Sequence, residues 1–91
     1  MKYQVRNEEY GDNPLVHYLI SEGIKPGDFA ILANVDHNKV YEVMHGRVRV
    51  LPESFADAAT ERSGPGTGAQ MREAYEYYRE DLRNSLQKDA R

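Results

Sequence analysis

The chain is 91 residues long, has no cysteine, and carries twelve Lys and Arg against fifteen Asp and Glu, a formal charge of −3 at pH 7. That length makes one small domain with a thin core, and the lack of thiols excludes disulfide frameworks, Cys-ligated zinc and thiol catalysis. The acidic balance argues against a general nucleic-acid coat while leaving room for a local basic face, and without a signal-type segment or long apolar run the expectation is a soluble, cytoplasmic protein with no membrane contact.

Residues 1–6 alternate with period two, Tyr3 and Val5 on one side, Lys2, Gln4 and Arg6 on the other, which predicts a short strand with one wet face. A polar loop follows to Asp12. Residues 13–23 are punctuated as a helix: Asn13 suits the N-cap, Pro14 the first turn and Gly23 the position just past the end. Leu15, Val16, Leu19 and Ile20 supply its apolar face, with Ile24 placed to close the end.

Lys25-Pro26-Gly27-Asp28 then reads as a type II turn, and three strand-like runs follow it. Phe29–Ala33 is apolar on both faces, as in a strand covered on two sides. Val40–Met44 comes after a polar loop of Asp36, His37 and Asn38. His45-Gly46 turns the chain, Arg47-Val48-Arg49-Val50-Leu51 alternates, and Pro52 ends the run. Residues 53–62 predict a helical turn or two, with Ser54 as cap and Phe55 and Ala58 facing inward. Ser63–Gly68 holds three glycines and a proline, a flexible stretch. Thr67 and Gln70 beyond it have capping-box spacing, and a helix continues to about Lys88.

These elements predict an α+β fold: a small antiparallel sheet, a three-stranded meander with an added N-terminal strand and SH3-like in its limit, between a short N-terminal and a long C-terminal helix. The expected organisation is a single domain, with an α+β core over 1–62, a Gly/Pro hinge over 63–68 and an amphipathic helix over 69–91.

On that last helix Met71, Ala74, Tyr75, Tyr78, Leu82, Ser85 and Leu86 share one side. The stripe reads first as a cover for the sheet, with an interface to a second copy or a partner as the alternative. Tyr77 projects opposite it, and an exposed tyrosine suits a binding anchor. Arg72, Arg79 and Arg83 form a ridge on one flank, with Glu76 and Glu80 at pairing distance along the helix.

Chemistry is harder to place. His17 and Ser21 lie four apart on a helix, but nothing beside them supplies an orienting acid or an oxyanion hole. His37 and His45 would sit at opposite ends of one strand, about 20 Å apart, too far to share a metal. Asp36 with His37 alone makes a weak site. The glycine stretch 64–68 precedes a helix N-terminus, where an anion can sit, yet it lacks the lysine of a P-loop and the dinucleotide glycine spacing. Fifteen carboxylates leave acid–base chemistry formally open.

The expectation is therefore a non-catalytic protein-binding module without metal or cofactor: a regulator, adaptor or inhibitor, of the kind phages encode, dimeric through its C-terminal helix. Its contact residues are Tyr75, Tyr77, Tyr78, Arg79, Leu82 and Arg83. The alternative is a nucleic-acid binder whose sheet presents Arg47 and Arg49, joined by Lys2 and Arg6 from the first strand and by Tyr41 for stacking.

Overall fold

The computed structural model describes residues 12–89, with side chains described to residue 85, and resolves this stretch into five helices. They are α1 (Pro14–Glu22), α2 (Pro26–Ala33), α3 (His37–Met44), α4 (Glu53–Ser63) and α5 (Thr67–Asp89). The strand expected over 1–6, with Lys2 and Arg6, lies outside the described residues.

Local chemistry explains where the first three helices stop. Gly23 takes the left-handed conformation at φ 67°, its N–H reaching the Ile20 carbonyl while that of Ile24 reaches Leu19. This is a Schellman end, and buried Ile24 supplies its hydrophobic contact. Asn34 ends α2 the same way at φ 56°, with Asn34 N–H to Ile31 and Val35 N–H to Ala30. Gly46 ends α3 at φ 71°, with Gly46 N–H to Val43 and Arg47 N–H to Glu42. Three short helices thus share one stop device, which turns the chain sharply each time without leaving the last carbonyls orphaned.

The α+β expectation is overturned: among the described residues there is no strand and no sheet. Phe29–Ala33 is the body of α2 and Val40–Met44 the body of α3. Pro26 opens α2 at its first turn rather than forming a type II turn. Short apolar runs satisfy strand and helix patterns alike, and the buried set decides between them. Pro26, Phe29, Ala30 and Ala33 go inward from α2 while Ile31 stays 77% exposed; Val40, Val43 and Met44 go inward from α3. Both sets have helical spacing. The alternating run from Arg47 has no partner strand among the described residues and forms an irregular loop, in which Val48 is half-buried, Val50 exposed and Leu51 buried.

The expected turn or two over 53–62 is realised as an eleven-residue helix, α4. Helix α2 packs on α3 and α4, α1 on α3 and α5, and α4 on α5. Phe29 sits between Tyr18 and Phe55 with edge-to-face rings, centroids 6.1 and 5.3 Å away. It joins α1, α2 and α4 around one aromatic centre. The Tyr18 hydroxyl lies 2.7 Å from Ser63 Oγ, and Arg62 pairs with Glu22 at 3.5 Å, so the end of α4 is tied to α1. Thr60 Oγ1 accepts the N–H of Gly68 at 2.9 Å, satisfying a donor in the first turn of α5 from across the helix pair.

Candidate functional site

Helices α2 and α3, eight residues each, are separated by only Asn34, Val35 and Asp36. Each turn residue has a task. Asn34 supplies the positive φ, Val35 packs partly against the core, and the Asp36 carboxylate accepts the Asn38 N–H at 2.9 Å to cap α3. The turn is thereby fixed at both ends.

The inner side of α3 is fully committed through Val40, Val43 and Met44. Its C-terminus is held by Asn13, which is completely buried. The Asn13 amide nitrogen donates to the carbonyls of Val43 and Met44, both at 2.8 Å, while its oxygen accepts the N–H groups of Leu15 and Val16. One side chain therefore caps the start of α1 and the end of α3 together. What remains outward on α3 is His37, Asn38, Lys39, Tyr41 and Glu42, with His45 just after it, all exposed. The His37 ring stands edge-on to Tyr41 with centroids 6.3 Å apart, and its Nδ1 is 3.7 Å from Asp36.

The loop after α3 carries Arg47 and Arg49, both exposed. Expected on the wet face of a strand, they stand instead on a loop that α5 fastens from behind. The Tyr75 hydroxyl donates to the Val48 carbonyl at 2.5 Å, and Arg79 Nη1 donates to that of Gly46 at 2.6 Å. Between loop and helix lies an open cleft of about 420 Å³ that includes Arg49, Arg79 and Arg83 along with Glu76 and Glu80.

Burial pushes the Tyr75 phenol from 10.0 up to about 12, with the Arg79 charge working in the opposite direction. The hydroxyl thus stays a donor throughout the physiological range. An unfolded chain releases this proton near 10 whereas the folded one holds it to about 12, so stability should fall as pH climbs through that window. Melting temperature followed from pH 9 upward should drop more steeply in the wild type than in Tyr75→Phe, and parallel curves would contradict the assignment.

The C-terminal residues expected to contact a partner fare unequally. Tyr75 is completely buried, while Arg79 is half-buried and spends Nη1 on the Gly46 carbonyl. Tyr78 and Leu82 are partly buried against Gly46, where a Cβ would lie 2.9 Å from the Tyr78 ring. Tyr77, 62% exposed, and Arg83 do face solvent.

Sequence reading did not single out Asn38, Lys39 and Glu42, because Asp36-His37-Asn38 resembled a hairpin loop. The signal available was Asp36 itself, a helix-starting residue placed before inward positions 40, 43 and 44. His17 and Ser21, both exposed, sit one turn apart on α1. Among the described residues no three His, Asp or Glu side chains gather as a metal site, and no helix is long and apolar enough to cross a membrane. Comparison with protein-family models, with curated proteins and with solved structures gave no match to this chain.

Proposed function

We propose that the protein is a DNA-binding domain of the helix–turn–helix kind, with α3 as the reading helix and the loop of Arg47 and Arg49 gripping the phosphate backbone. The observation that supports this most is the tight α2–turn–α3 unit whose second helix keeps its inner side in the core and its outer side wholly exposed and hydrogen-bonding. A helix with its side chains is about 10–12 Å across, which a major groove about 12 Å wide admits. Asn38 and Lys39, in the first turn of α3, are side-chain types that pair with adenine and guanine edges.

Net acidity does not oppose this reading. Residues 36–49 hold three Lys and Arg against two Asp and Glu, so the acidic excess lies elsewhere in the chain. It lies before the reading unit and on α4: residues 1–35 hold three Lys and Arg against five Asp and Glu, and α4 holds one against three.

Fluorescence anisotropy with a 30-bp random-sequence duplex, titrated at several salt concentrations, tests the reading. Binding should weaken steeply with salt, and Arg47→Gln with Arg49→Gln should lower the slope of log K against log salt by about 2, near 0.9 per lost phosphate contact. No measurable binding at 50 mM salt would overturn it.

A second reading keeps the protein-binding module, dimeric or bound to a larger partner through α5. Tyr77 favours it, standing 62% exposed on a helix already rich in tyrosine. In this form the contact residues reduce to Tyr77, Arg83 and the outer edge of Leu82. Salt-insensitive chain association without DNA binding would select it.

A further inference from the structure

We propose that α5 is the element that sets the DNA grip: Tyr75 and Arg79 are positioning residues that hold the loop of Arg47 and Arg49 in its binding shape through the carbonyls of Val48 and Gly46. The inference rests on the DNA-binding reading and names the part of the fold that governs its backbone contacts.

Four residues of α5 meet the root of this loop, and they recur at i, i+3, i+4 and i+7, one side of a helix. Tyr75 and Arg79 donate to Val48 and Gly46. Tyr78 and Leu82 close over Gly46 so tightly that a Cβ there would lie 2.9 and 3.0 Å from them. Gly46 is at once the left-handed end of α3 and the floor of this contact, which leaves no side chain that fits both demands. The loop is part of no helix or strand among the described residues, and α5 supplies donors to two of its carbonyls.

The geometry also separates roles among the arginines. Arg79 directs its guanidinium inward to a backbone oxygen, whereas Arg47 and Arg49 are exposed beyond the fastened carbonyls. A loosened loop would have to be ordered again each time DNA binds, and that entropy appears directly as lost affinity. Segment 63–68, read from sequence as a hinge ahead of an interface helix, thus leads into a helix that braces the loop.

The test is a double-mutant cycle on binding to the 30-bp duplex. Tyr75→Phe keeps the ring and removes the donor; it should weaken binding about fivefold, in line with one hydrogen bond. It should also speed hydrogen exchange at the Val48 and Arg49 amides. In a background of Arg47→Gln and Arg49→Gln the same substitution should have no further effect, because the loop no longer carries the contacts that positioning serves. An equal fold-loss in both backgrounds, or unchanged binding and exchange in Tyr75→Phe, overturns the proposal. Arg79→Gln in the same cycle decides the matter where Tyr75→Phe fails to fold. Absence of DNA binding by the wild-type chain is the separate result that defeats the parent reading.

Discussion

Replacing Asn13 with alanine is expected to cost about 3 kcal/mol, measured as the loss of unfolding free energy in urea. Two separate losses combine. The N-cap of α1 disappears, worth about 1 kcal/mol, and the Met44 carbonyl loses its donor inside the protein, at about 1–3 kcal/mol for an unsatisfied buried group, while that of Val43 keeps the Gly46 N–H. Water entering the vacated space offsets part of the second loss. A domain of this size has about 5–15 kcal/mol in total, so one substitution removes a large share. Asn13→Asp separates the two roles. Aspartate caps a helix as well as asparagine, so a cap alone predicts little change. A carboxylate facing two carbonyl oxygens at 2.8 Å predicts a loss at least as large as that of alanine. Near-native stability of Asn13→Asp at neutral pH would show that the clamp on α3 contributes nothing.

The second large effect is at Gly68. In an open helix, Gly→Ala stabilises by about 1 kcal/mol. Here a Cβ would collide with the backbone carbonyl of Ala56 and lie 2.5 Å from Thr60 Oγ1, so α4 and α5 would have to separate. Gly68→Ala should destabilise by about 2–3 kcal/mol, as overpacking does, and lower Tm by about 8 °C or more, at about 4–8 °C per kcal/mol for a domain this small. Gly27→Ala is the control. That glycine lies in the first turn of α2 with open space around it and no positive φ, so alanine there should be neutral or raise stability by about 0.4–1 kcal/mol. The same substitution at two helical glycines thus carries opposite signs, and equal effects at both would refute the close approach of α4 to α5. Because α5 braces the arginine loop, Gly68→Ala should weaken DNA binding as well.

How much of this was legible in the residues differs by element. α1 was readable in full, since Asn13, Pro14 and Gly23 mark both of its ends and their effects are local. The inward stripe of α5 was also readable in its Met71, Tyr75, Tyr78, Leu82 spacing. What that stripe covers was not: it meets α4, α1 and the loop rather than a sheet. α2 and α3 were misread because short apolar runs such as Phe-Ala-Ile-Leu-Ala and Val-Tyr-Glu-Val-Met fit strand and helix alike, and the turn-like residues around them, Lys25–Asp28 and Asp36–Asn38, tipped the balance toward strand. Arg47 and Arg49 were singled out on a strand alternation that the loop does not use. Asn38 and Lys39 were missed with the helix that carries them.

Sequence alone determined what depends on near neighbours: the Asn13 cap, the left-handed stop at Gly23, the lack of thiol chemistry, and a charge that is acidic overall yet basic around 39–49. Tertiary structure alone decided what depends on residues far apart in the chain. A strand exists only where another strand accepts its hydrogen bonds, and none is offered to Arg47–Leu51 among the described residues. Asn13 reaches thirty residues ahead to hold α3, and Arg79 reaches thirty-three residues back to hold Gly46. Local propensity carries no trace of either contact, because each bond's donor and acceptor meet only after the helices between them have packed.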